Sequence, residues 1–211
     1  IENVSIYLSL SLIIPLLALI VNYSRTAATK ENKEPVFSVL ISFAFVVFAI
    51  TNVLQIISSI SNLTPIVSLT NFEYSVRYGY MYSLILILIP FVYYLVPKIY
   101  GREFTYGRLE SFNAYLLGIS VVATLSLNTL IGINSGFSWN AGANAGNPTI
   151  YGEGFLITWS LISTPYTLIL FLSLLFLLST FLFTLSTLRA IIGGSVTESE
   201  TVLEVPGENY E

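Results

Sequence analysis

The side chains that carry most enzymatic chemistry are missing from this sequence. It has no His and no Cys, and its twelve acidic residues are all Glu. Without His or Cys there is no Ser-His-Asp triad, no thiolate nucleophile, no structural zinc site and no CxxCH haem attachment. Disulfides cannot form, so cysteine usage says nothing about compartment. Two features with chemical character remain. Glu73 and Arg77 stand four residues apart, in the order that favours an i,i+4 ion pair. As an exposed pair they contribute little; an Arg turned into a helix bundle would be a functional group. Asn52, Gln55 and Asn128 are the strongest polar groups within apolar stretches, accompanied by many Ser and Thr. Their ordinary role is helix–helix hydrogen bonding, worth about 1 kcal/mol each, and a polar pore is the alternative. A pump or proton relay normally shows intramembrane carboxylates or His.

The elements that must position these groups are membrane helices. The 211 residues are 55% hydrophobic and 9% charged, with mean hydropathy +0.79, against about a quarter charged in soluble domains. A membrane span needs roughly 20 mostly apolar residues, and five stretches qualify: Ser5–Asn22, Val36–Ile60, Tyr78–Tyr94, Tyr115–Ile133 and Phe155–Arg189. Pro35 is a good first-turn residue for the second, and Pro97 and Gly101 are expected to close the third. The last stretch is too long for one perpendicular span. Pro165 is expected to divide it into an interfacial turn and a long helix, Tyr166–Leu188. The expectation is an all-α, polytopic bundle of five transmembrane helices over residues 1–190. Residues 191–211 are expected to form an acidic, disordered tail.

Lys and Arg placement sets orientation. Arg25, Lys30, Lys33, Lys98, Arg102, Arg108 and Arg189 fall on one side and only Arg77 on the other. This predicts the N-terminus outside and the tail (Glu198, Glu200, Glu204, Glu208, Glu211) in the cytoplasm of a multi-pass cell-membrane protein. Ile1-Glu2-Asn3 lacks the basic region of a signal peptide. Asn3-Val-Ser5 and Asn62-Leu-Thr64 are glycosylation sequons on the outer side. The Gly-, Asn- and Ala-rich segment Asn134–Gly154 is expected to be a flexible outer loop. A net charge of −4 provides no basic footprint for nucleic acid. Lipid is the expected surroundings.

The string Tyr93-Tyr94-Leu95-Val96-Pro97-Lys98-Ile99-Tyr100-Gly101-Arg102-Glu103 resembles the end of the tenth helix in the catalytic subunit of haem-copper oxidases. The likeness is to the C-type cytochrome c oxidases and the related nitric oxide reductases in particular. Arg108-Leu109 through Asn113 and Tyr115 is similar to that family's start of helix eleven. Gly132–Gly136 with Trp139 is similar to its end, and Pro165-Tyr166 resembles the start of helix twelve. The resemblance implies that nearly the whole chain corresponds to the last five of twelve helices.

In the family a His-x-His pair near the start of helix ten binds the two haems; by spacing, those positions here are Ser75 and Arg77. The family's His residues at the start of helix eleven and before Pro-Tyr fall on Asn113 and Thr164. None of the four is an imidazole donor to iron. The resemblance therefore implies a degenerate, haem-free accessory subunit of a respiratory or other electron-transfer complex, with no cofactor bound by this chain alone. Haem or quinone would sit in partner subunits, one of them resembling the oxidase's N-terminal half. A vacated haem cavity must be refilled or remain a costly void, and Arg77, Tyr78, Tyr80, Met81 and Tyr82 are bulky enough to fill it. The alternatives are half of a split oxidase whose partner holds every metal ligand, and a small transporter or channel.

Overall fold

The computed structural model describes residues 7, 10–29, 35–60, 62–68, 70–101, 108–144 and 148–193. Their helices are α1 (Ile13–Thr29), α2 (Pro35–Ser58), the single turn α3 (Thr64–Val67), α4 (Asn71–Tyr100), α5 (Arg108–Asn144) and α6 (Pro148–Gly193). Among the described residues, four segments are long and apolar enough to cross a membrane: Val36–Ser58, Asn71–Tyr100, Leu109–Ser138 and Pro165–Gly193. Ile13–Arg25 is a shorter apolar helix, corresponding to the latter part of the first expected span.

Local signals explain most of the boundaries. Pro35 opens α2 with its φ already set for a helix. The Thr70 hydroxyl accepts the Phe72 N–H at 3.2 Å just ahead of α4, satisfying one of the orphan donors of a first turn. At the other end Gly101 takes φ 59°, the left-handed conformation that a side chain resists. Gly101 thus closes α4 as expected. Pro97 does not, because the helix runs through it to Tyr100.

Two expectations are corrected. Pro165 produces no interfacial turn: α6 is helical through it for 46 residues. A proline forfeits one backbone hydrogen bond, but in an apolar setting every other conformation leaves more groups unpaired. The Gly-rich segment is not a loop as far as Asn144, where α5 ends, and helix resumes at Pro148. Gly136 within it, and Gly132 just before it, serve packing. A Cβ on Gly132 would lie 2.1 Å from the Phe72 backbone nitrogen, and one on Gly136 would lie 2.3 Å from the Ile66 carbonyl oxygen. Gly132 and Gly136 form a GxxxG face on which the turn of α3 and the start of α4 rest directly.

The core lies where α2, α4 and α5 meet. Leu40, Ala44 and Val47 of α2 interlock with Leu86 and Ile89 of α4 and with Leu117, Val121 and Leu125 of α5, all buried. The α5–α6 pair is the most extensive helix contact, yet only 6% of the best-spanning window of α6 is buried. Leu170, Leu174, Leu177 and Phe181 are exposed there, as suits a helix solvated by lipid. Tyr23 of α1 reaches α2, its ring 5.1 Å from Phe45 and its hydroxyl donating to the Ser38 carbonyl at 3.4 Å. Of the acidic tail expected from residue 191, Ile191, Ile192 and Gly193 still belong to α6; residues 194–211, Arg102 and Asn3 lie outside the described residues, whereas Asn62 is exposed in the turn after α2.

Gly132→Ala is expected to destabilise the protein by about 2 kcal/mol through overpacking. Gly193→Ala, with nothing within 4 Å of the new methyl, should stay within about 0.5 kcal/mol of the parent. Unfolding of both variants by titration with a denaturing detergent, followed by circular dichroism, checks the difference.

Candidate functional site

Ser75 stands on α4, about one turn past its first residue Asn71, with its side chain turned inward and 2% exposed. Its hydroxyl lies 3.1 Å from the Asn71 carbonyl of its own helix and 3.4 Å from the Leu125 carbonyl of α5. Arg77, two positions on, points away from the bundle. Its Nε donates to Glu73 Oε1 at 3.1 Å, with the Arg side chain 75% exposed. The pair is the surface ion pair of i,i+4 spacing, and no Arg enters the bundle. At this exposure it contributes little to stability.

Asn113 of α5 is buried and clasps Ser179 of α6. The Ser179 hydroxyl lies 2.6 Å from Asn113 Oδ1 and 3.1 Å from the Asn113 carbonyl, while Asn113 Nδ2 donates to the Ser179 carbonyl at 3.1 Å. The side chains and backbones of both residues are thereby joined in one interhelical knot. Thr164 lies within α6, one residue before Pro165. The oxidase-like string is divided: Tyr93 is buried with its ring 5.2 Å from Phe183, while Tyr94 is exposed under the Lys98 ammonium, 4.2 Å above its ring. Lys98 also donates to the Tyr94 hydroxyl. Tyr93 is therefore a packing residue, and Tyr94 and Lys98 make a cation–π pair on the surface.

The polar groups legible in the sequence bond within their own helices, and Asn52 and Asn128 also bond across to α4. Asn52 donates to the Phe48 carbonyl at 2.7 Å, and its Oδ1 is 3.4 Å from the Tyr80 hydroxyl. Gln55 offers its carbonyl to the Ser58 and Ser59 hydroxyls at the end of α2. Asn128 donates to the Thr124 carbonyl at 3.0 Å, and its Oδ1 lies 3.4 Å from the amide of Asn71. Asn71 donates in turn to the Tyr166 hydroxyl at 2.7 Å. This junction ties α4, α5 and α6 together near the start of α4. Among the described residues no group of three or more acidic, His or Cys side chains gathers to hold a metal.

Beside Ser75 a cleft of about 340 Å³ opens between α4, α5 and α6. The bulky residues expected to fill such a space divide. Arg77 and Met81 face outward, the latter 61% exposed. Tyr80 turns to Phe48 of α2, ring centroids 5.7 Å apart. Tyr78 and Tyr82 line the cleft without closing it. Arg77 and Met81, four residues apart, share the same outward face of the helix, so of the five bulky residues only Tyr78 and Tyr82 reach this cleft. Residue spacing alone marked neither the cleft nor the Asn113–Ser179 clasp, although the Gly132–Gly136 motif that seats α4 on α5 was readable as GxxxG.

No family model matches the chain, and neither a curated protein nor a solved structure matches it. What is shown is the class: a multi-pass, all-helical membrane protein by helix length and hydropathy.

A double-mutant cycle on Asn113→Leu and Ser179→Ala is expected to give a coupling energy of about 1 kcal/mol, within the range of membrane helix hydrogen bonds. Detergent-denaturation midpoints of the four proteins supply it; additive effects would show that the clasp contributes no coupling.

Proposed function

We propose that this chain is a haem-free integral membrane subunit of an electron-transfer complex, which anchors and orients redox partners held on other membrane chains. In this reading the first apolar segment completes a five-span bundle with its N-terminus outside and its C-terminus inside the cell membrane. The partner is a membrane chain resembling the N-terminal half of the oxidase subunit, and any haem that reacts belongs to it.

The observation that carries the reading is what has become of two positions where the resembled family places imidazoles. Asn113 is committed to Ser179 of α6, and Ser75 sits against the Leu125 carbonyl of α5. Both hold helices together. Neither side chain is a neutral imidazole, and neither supplies the iron ligation of that family. Activity does not follow from a shared scaffold once its site has changed, so the role left to such a bundle is mechanical. It presents surfaces and fixes distances between chains.

Two outcomes test this. Mild solubilisation is expected to bring down the chain with a second membrane protein that carries haem, while the chain purified alone shows no Soret absorbance. A Soret band from the isolated chain, or stable recovery as a lone monomer, contradicts the proposal. The absence of native Cys makes the topology directly measurable: Asn62→Cys should react with an impermeant maleimide applied outside, and Lys33→Cys only after permeabilisation.

A further inference from the structure

We propose that the cleft between α4, α5 and α6 is a binding site for a neutral lipid whose head is a single ring bearing acceptor oxygens. The inference stands on the cleft alone and does not rest on the electron-transfer reading. Three properties of its wall lead there.

The first is charge. The side chains lining it include Tyr74, Tyr78, Tyr82, Asn128, Tyr166 and Ser173, and no lining residue is ionised at neutral pH. The nearest cation in sequence, Arg77, is turned outward onto Glu73. A phosphate or carboxylate head would enter this space without a counter-charge, at a large desolvation cost.

The second is unused hydrogen-bonding capacity of one kind. Ser75, Thr124 and Ser173 already direct their hydroxyls at backbone carbonyls. Tyr166 accepts from Asn71 and keeps its own proton. The phenols of Tyr74, Tyr78 and Tyr82 make no hydrogen bond among the described residues. The wall therefore offers several phenolic O–H donors to one occupant, and an occupant rich in acceptor oxygens satisfies them. Tyr74 and Tyr78 are half exposed and Tyr82 is partly buried, so these donors are accessible to an occupant.

The third is shape. Tyr74 and Tyr78 stack with interplanar angle 7° and centroids 5.7 Å apart, Tyr82 is tilted 37° from Tyr78, and Phe176 meets Tyr82 edge-on at 66°. Rings set at these angles give a further planar or pyranose ring both a face and edges to pack against. About 340 Å³ lies at the lower end of small-molecule sites, which fits one ring. Ile169 and Ser173 place the exposed side of α6 at the margin, where a lipid tail continues along Leu170 and Leu174.

Carbonyl rings on a prenyl tail and sugar rings on a diacylglycerol share this chemistry, and the test separates them. The full-length protein, purified with any chain it retains and then delipidated, is titrated with a prenylquinone in one arm and a monoglycosyl diacylglycerol in the other. Bound stoichiometry is read by native mass spectrometry, with phosphatidylglycerol as the anionic control. Saturable binding is expected in at least one arm, and that arm identifies the source. Tyr78→Phe and Tyr82→Phe, which remove only a hydroxyl, are each expected to weaken it about tenfold, the loss of one hydrogen bond in a water-poor site. Ser173→Trp is expected to abolish it by filling the margin. Equal binding of phosphatidylglycerol, no binding in either arm, or affinities unmoved by all three substitutions overturns the proposal.

Discussion

A hydroxyl or amide within hydrocarbon has no water to turn to, and this bundle is organised around that shortage. Most Ser and Thr side chains on its helices donate to a carbonyl three or four residues earlier, as Thr51 does to Val47, Thr124 to Ser120, Ser173 to Ile169 and Thr187 to Phe183. Such bonds satisfy the side chain without linking helices. The polar contacts that do cross between helices are correspondingly few. Asn113 with Ser179, Asn71 with Asn128 and Tyr166, and Ser75 with Leu125 connect α4, α5 and α6. Each sits where two apolar faces already meet, so its geometry is fixed by packing and its partner is predetermined.

That division separates what the sequence reveals from what it hides. Hydropathy located Val36–Ile60, found as Pro35–Ser58, to within two residues, because both ends coincide with a Pro and a polar turn. It underestimated α4 and α5, expected at Tyr78–Tyr94 and Tyr115–Ile133. A helix does not stop where its apolar run stops, and residues such as Asn71 and Glu73 continue it with polar side chains. Pro165 and the glycines after Asn134 read as breaks, since their intrinsic preferences oppose helix; the cost of unpaired backbone groups in hydrocarbon overrode the first, and at Gly136 close packing accompanies the helix.

The candidate site was less legible, for a topological reason. Ser75 and Asn113 could be pointed to by spacing from the Tyr93–Glu103 string, but their partners lie 50 and 66 residues away. Nothing in the types Leu125 and Ser179 announces such a partnership. The cleft is harder still. Its wall is an assembly of Tyr, Asn and Ser from three helices, and tyrosines at a span's end look the same in a one-dimensional reading whether they line a pocket or a lipid interface.

The lengths of α5 and α6 have a geometric result. At 1.5 Å per residue, a helix of 46 residues extends for about 69 Å, against roughly 30 Å of hydrocarbon. Pro148–Thr164 precedes the spanning segment of α6 and adds about 25 Å. A helix that much longer than the hydrocarbon is thick must either tilt within it or extend beyond it.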